Sequence, residues 1–374
     1  MIDTSDAVTT AALDQVLKAE MAAADNHPFA TGVEIPDDDN AQISDSVATP
    51  EPCLPGFQPM SATSNFKWGE VDGDVFCSNI NSAYAEIVHW RRNLFLVPSG
   101  KAGKEFILEL TRLWRAYASA SAMEAIALRA AMVMCALVLQ KPHSKSKSRD
   151  HVSCVERRLK LWSKGDIEDL LIEGRTIQGY LRRGKRHKSQ EDITRTFTKL
   201  MLLGNVKSAM RVIADSSTGG VLNLDAKVSE NKTVHEVLKE KHPEGMDAIE
   251  DALLATTARL QPPHPVLFDR LTGESIKYAA LRTFGSSGPS GVDAAGWRRM
   301  CVSFHGASKS LCDALAAVAR RIATTYVDPE GLAAFTACRL CPLNKCPGVR
   351  PIGTSEAPRR VIGKAIMVVI GDDV

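Results

Sequence analysis

Positive charge is nearly missing from the start of this chain. Residues 1–66 hold eleven acids and one base, Lys18, a net charge of −10. They also lack the apolar core of a secretory signal, because Asp3, Asp6 and Asp14 interrupt the first twenty residues. Long apolar runs are missing too. The most apolar stretch, 130–140, is bracketed by Arg129 and Lys141, well short of the about 20 residues needed to cross a bilayer. The nine cysteines are odd in number and thinly spread, which argues against a disulfide framework and for a reducing interior. The expectation is an intracellular protein, nuclear or cytoplasmic, neither secreted nor transmembrane.

Several sequence signatures are incomplete. Gly285-Ser-Ser-Gly288-Pro-Ser-Gly291 lacks the Lys-Ser/Thr that completes a Walker loop, and Gly306-Ala-Ser-Lys309-Ser310 lacks its first glycine. His235-Glu236 starts a helical zinc-hydrolase motif, but Lys239 stands where the second histidine belongs. Cys338 and Cys341 have zinc-ligand spacing with Cys346 five residues on, yet no fourth ligand is near. Ordinary thiols are the expected reading, and no metal is assigned.

What is present is 44% hydrophobic and 24% charged residues, the make-up of a globular chain. The net charge of +2 hides a division. Taking away residues 1–66 leaves 45 bases and 33 acids in 67–374, a net of +12. An acidic arm on a basic body points to an anionic partner, RNA or DNA.

Three regions follow. Residues 1–66 read as a disordered acidic tail, with four prolines between 50 and 59 and a short amphipathic helix over 10–24. Residues 67–260 read as a mainly α accessory region. Phe106, Leu110, Leu113 and Tyr117 form one stripe over 103–118. Ser121 and Glu124 suggest a capping box for a buried helix that runs to Gln140 and stops before Pro142. Residues 144–199 carry fifteen bases against eight acids, peaking at Arg182, Arg183, Lys185, Arg186 and Lys188, a run able to neutralise a nucleic-acid backbone. Helices are expected at 193–203 and 206–214, and another capped by Thr233.

The segment Gln261-Pro262-Pro263-His264-Pro265 is stiff and marks the boundary to residues 262–374. There a helix is expected over 272–281, a Gly/Ser/Pro loop over 285–291, and a long helix over 308–326 stopped by Asp328-Pro329. Next come strand, turn and strand around Pro347-Gly348, then a helix starting near Glu356 with Val361, Ile362 and Ala365 facing inward. Hairpin and helix together display Lys345, Arg350, Arg359, Arg360 and Lys364. That set suits a polyphosphate or a nucleic-acid backbone.

This last segment resembles the reverse transcriptases of non-LTR-type retroelements. The residues that carry the resemblance are Pro342-Leu343-Asn344-Lys345, Arg350-Pro351-Ile352-Gly353 and Arg359-Arg360-Val361-Ile362-Gly363-Lys364, with Gly288-Pro289-Ser290-Gly291-Val292-Asp293-Ala294 and Gly296-Trp297-Arg298-Arg299 upstream. Fainter echoes lie at 161–166 and 173–178. The likeness is specific over 285–368 and looser over 90–284. It implies the fingers of a polymerase, with Lys345 and Arg350 toward the incoming triphosphate and Arg359, Arg360 and Lys364 toward template backbone or triphosphate. In the family, two Mg²⁺ ions held by palm carboxylates perform phosphoryl transfer.

Gly371-Asp372-Asp373 has neither the strand–turn–strand flanks nor the partner Asp of that palm, and no Tyr-x-Asp-Asp occurs. The expectation is therefore an N-terminal fragment of a reverse transcriptase, with the fingers present and the palm absent. It binds nucleic acid, holds no catalytic residue and no cofactor, and awaits Mg²⁺ only in a complete polymerase. The alternative is a non-enzymatic helical module for RNA or protein whose hairpin merely resembles polymerase fingers. Without a palm to cover them, Ile366, Val368 and Val369 would be exposed.

Overall fold

The computed structural model describes residues 66–142, 147–183, 190–217, 221–229, 232–242, 265–345 and 348–371. The protein is mainly α with small two-stranded sheets, as its periodicity indicates. The acidic tail, the 10–24 helix and the proline-rich boundary lie outside the described residues.

A short hairpin, β1 (Lys67–Trp68) and β2 (Val71–Asp72), leads into α1 (Gly73–Ile87), which buries Phe76, Ile80, Ala83 and Ile87 along one stripe. In α2 (Lys101–Ala118) the four stripe residues are buried, and Ile107 and Trp114 widen the face. Next is α3 (Glu124–Val138), buried at every position from Ile126 to Val138 except Arg129.

The expected capping box at its start does not form. Ser121 Oγ instead donates to the Ala116 carbonyl at the end of α2 (2.8 Å), and Glu124 pairs with Arg321. Ser121 Oγ also accepts from the Met123 N–H (3.3 Å), but the α2–α3 turn, with Ala120 at φ +50°, delays the helix to Glu124, two residues too late for Ser121 to be its N-cap.

Burying a helix on all sides leaves its last carbonyls without water. Arg158 of α4 (Ser148–Lys164) resolves this. Its guanidinium is 1% exposed and donates to the carbonyls of Val138 (3.1 Å) and Gln140 (2.5 Å) and to Glu173 Oε1 (2.7 Å). Glu173 lies on α5 (Ile167–Arg183) and also takes two bonds from Arg157 (2.7 Å each). Burial pushes the Glu173 carboxyl up, but hydrogen bonds from Arg158 and Arg157 outweigh it and hold it below the usual range.

An arm follows, α6 (Gln190–Leu202) and α7 (Val206–Ser217), whose strongest packing is mutual. Then come β3 (Lys227–Ser229), β4 (Lys232–Thr233) and α8 (Val234–Lys241). Thr233 caps α8 in a capping box with Glu236. A 3-10 turn (Pro265–Arg270) leads to α9 (Gly273–Leu281), α10 (Ala294–Val302), α11 (Gly306–Thr324) and α12 (Pro329–Thr336). Asp328-Pro329 does more than stop α11. The Asp328 carboxylate accepts from the Glu330 N–H (3.0 Å) and Pro329 occupies the first turn, so the same dipeptide starts α12.

Residues on either side of 261–265 share one core. Trp114 of α2 meets Trp297 of α10 edge-on at 5.9 Å and Phe335 of α12 at 6.1 Å. Arg321 of α11 donates to the Tyr117 carbonyl. The accessory region and the hairpin-bearing region are therefore one folded body from residue 66 onward, because α2 and α3 cannot bury their wide apolar faces without α11 and α12.

Arg158→Ala should destabilise this body by about 2–4 kcal/mol, since it strands two buried carbonyls and leaves Glu173 to Arg157 alone. Urea unfolding followed by helical circular dichroism measures it. A loss under about 1 kcal/mol would remove the capping role.

Candidate nucleic-acid interface

The hairpin consists of β5 (Cys338–Asn344) and β6 (Val349–Ser355), paired antiparallel with Leu343 opposite Arg350. Its outer edge is covered where sequence gave no hint. The Leu222 N–H donates to the Pro342 carbonyl (2.9 Å), Val221 bridges to Leu343, and Val349 is buried with Val234 and Leu238 of α8. At the tip Lys345 and Arg350 are exposed. Among the described residues neither side chain has a hydrogen-bond or ion-pair partner, so both charges are free for a ligand.

The base of the hairpin is fixed by Glu356, which precedes α13 (Ala357–Ile370). Its carboxylate is fully buried and accepts from the Ser290 N–H (2.5 Å) and Ser290 Oγ (2.7 Å). Backbone meets backbone here. A Cβ on Gly288 would sit 2.7 Å from Glu356 N and 2.8 Å from its Cα, so only glycine fits. The Gly/Ser/Pro loop thus cradles an anion, but the anion is the protein's own. Burial raises the Glu356 carboxyl to about 7, against the opposing pull of the Ser290 bonds and of Arg339 and Arg360.

The basic residues of α13 face inward more than expected. Arg359 donates to the Thr336 carbonyl (2.9 Å), Arg360 to those of Phe284 (2.7 Å) and Ser286 (2.5 Å), and Lys364 to that of Arg282 (2.6 Å). They secure the C-terminal ends of α9 and α12, where carbonyls lack partners and cations are favoured. Arg359 and Lys364 remain solvent-exposed while doing so.

Arg182 and Arg183 close α5, whereas Lys185, Arg186 and Lys188 lie outside the described residues. The end of α5 is tied to the hairpin base through residues 90–92. Gln178 exchanges two hydrogen bonds with the Arg91 backbone (2.9 and 3.0 Å), and Arg91 Nη1 donates to the Leu181 carbonyl (3.0 Å). Arg339 donates to the carbonyls of Trp90 and Pro289 (3.3 Å each). One strip of backbone therefore joins the start of the basic run to the hairpin. Arg91, Arg92 and Arg339 were not legible as part of it, because their partners lie 50–249 residues away.

Three residues apart on a strand, Cys338 and Cys341 point to opposite faces. Cys346 lies outside the described residues, and Cys301 and Cys312 are buried against each other in the core. Among the described residues no cluster of three metal-ligating side chains occurs. Gly371 follows α13 directly, while Asp372 and Asp373 lie outside the described residues. Of the three apolar residues expected on the surface, Val368 is exposed, Ile366 half-buried and Val369 buried. α9 and α11 supply the cover.

No family model, no curated protein and no solved structure matches this chain.

Because the Glu356 carboxyl is raised, the folded state binds a proton that the unfolded state has lost. Stability should fall as pH rises from about 4.5 to 7, by about 3 kcal/mol from this group. Glu356→Gln should flatten that slope in unfolding curves taken across the window. A slope unchanged in the variant would assign it to other groups.

Proposed function

We propose that the chain is a nucleic-acid-binding, fingers-type region of a non-LTR-type reverse transcriptase, which binds RNA or DNA without polymerising. The observation that best supports this reading is the strip joining the end of α5 to the hairpin base. It ties the end of α5, from which the run Arg182, Arg183, Lys185, Arg186 and Lys188 continues in sequence, to the base of the hairpin that carries Lys345 and Arg350. The hairpin followed at once by a basic helix has the order expected of polymerase fingers, and its two free cations sit at the tip. The reading assigns phosphoryl-transfer carboxylates to no residue of this sequence; Mg²⁺ belongs to the palm of a complete enzyme.

One observation favours the alternative, a helical protein-binding module. The α6–α7 arm exposes Leu202 (83%), Leu203 (63%), Val206 and Met210, and α6 buries no residue at all. An apolar patch of that kind suits a protein surface better than a phosphate backbone.

Replacing Arg182, Arg183, Lys185 and Arg186 together with Ala should weaken binding to oligonucleotides of any sequence and reduce the slope of log K against log salt by about 3. Fluorescence anisotropy across a salt series reads both. An unchanged slope would show the cluster to be merely solvated. In a primer-extension assay with Mg²⁺ or Mn²⁺ the 374-residue chain should yield no product, and product would overturn the non-polymerising reading.

A further inference from the structure

The C-terminal end of α9 gathers more positive charge than a helix end requires. Arg298 donates to the Thr283 carbonyl (3.0 Å), Lys364 to that of Arg282, and Arg360 to that of Phe284. A helix C-terminus offers about half a negative charge, and three full cations meet it here. The segments that build this corner, 278–290 and 359–370, contain four bases and no acid.

Two aromatic rings stand among these cations, and both are exposed. Phe284 is 56% and Tyr278 43% exposed. The Arg298 guanidinium lies 4.8 Å from the Phe284 ring centroid, and that of Arg282, itself exposed, lies 3.5 Å from that of Tyr278. Large apolar rings at a surface are stabilised by such cations, and the rings are held in place by them. The result is two planar cation–ring pairs on a positively charged surface.

We propose that Tyr278, Arg282, Phe284 and Arg298 form a base-stacking platform for single-stranded nucleic acid. In a duplex each base face is covered by its neighbours in the stack, whereas an unpaired base can lie flat on a phenyl ring or a guanidinium plane. Lys364 and Arg360 then supply positive charge for the phosphates on either side. This rests on the nucleic-acid reading above and adds to it the strand state of the ligand.

The test compares the whole chain with its Phe284→Leu and Arg282→Lys variants. The probes are a fluorescein-labelled oligo(dT), an oligo(U), and a mixed-sequence DNA duplex of equal length. Phe284→Leu keeps an apolar side chain and removes the ring, and Arg282→Lys keeps the charge and removes the plane. Each variant should lose at least about fivefold in affinity for the single strands and should leave duplex affinity, the salt slope and the melting temperature unchanged. Unchanged single-strand affinity in both variants overturns the platform, and so does an equal loss on duplex. If the wild-type chain binds none of the three probes, the nucleic-acid reading itself fails, and the exposed rings are left to a protein partner.

Discussion

A buried carboxylate sets how the 285–291 loop, the base of the hairpin and the start of the last helix meet. Glu356 has no water to solvate it, so its two oxygens must find protein donors, and Ser290 supplies both. That requirement draws the 285–291 loop against the start of α13 so closely that Gly288 has no room for a side chain. Because β6 ends where Glu356 begins, the same contact sets the angle at which the hairpin leaves the body. Arg339 adds a second tether from β5 to the Pro289 and Trp90 carbonyls. Breaking the carboxylate contact would therefore release the loop from the start of α13 and leave the hairpin to Arg339 and to the Leu222–Pro342 bond.

The helical body repeats one device with different partners. Many short helices packed into one core bring several helix ends out of reach of water, and each leaves carbonyls without partners. Here long basic side chains complete them. Arg158 serves α3, Arg298, Arg360 and Lys364 serve α9, Arg321 serves the end of α2, and Arg359 serves α12. Arg92 and Arg299 bond loop carbonyls at Gly291 and Val97. Part of the +12 charge of the body is thus committed to holding the fold.

The sequence was most legible where the signal is local. The stripe Phe106, Leu110, Leu113 and Tyr117, the Thr233 cap and the strand–turn–strand around Gly348 depend on neighbours within a few residues, and all are present. Ser121 misled because the turn after α2 shifts the start of α3 to Glu124, so the N-cap is Met123 and the serine stands two residues before it. Asp328-Pro329 read as an end when it also makes a beginning. The role of Glu356 was out of reach, since Ser290 lies 66 residues away and nothing in spacing marks a glutamate as buried. The fate of Arg359, Arg360 and Lys364 was hidden for the same reason. Their acceptors are backbone oxygens, which every sequence contains and none advertises.

These commitments narrow what a ligand can use. A guanidinium already bonded to two carbonyls keeps its charge but has fewer N–H groups to offer, so Arg360 acts on a phosphate mainly through its field. Lys345 and Arg350 have both charge and donors to give, and they stand at the exposed tip. Arg282 and Arg298 offer planar faces beside exposed rings, a different kind of contact again. A ligand that suits all three sets is long, polyanionic and carries flat groups. A free triphosphate satisfies the tip alone, and an acidic peptide lacks the flat groups, whereas the proposed ligand, a single strand of nucleic acid, carries both phosphates and flat groups.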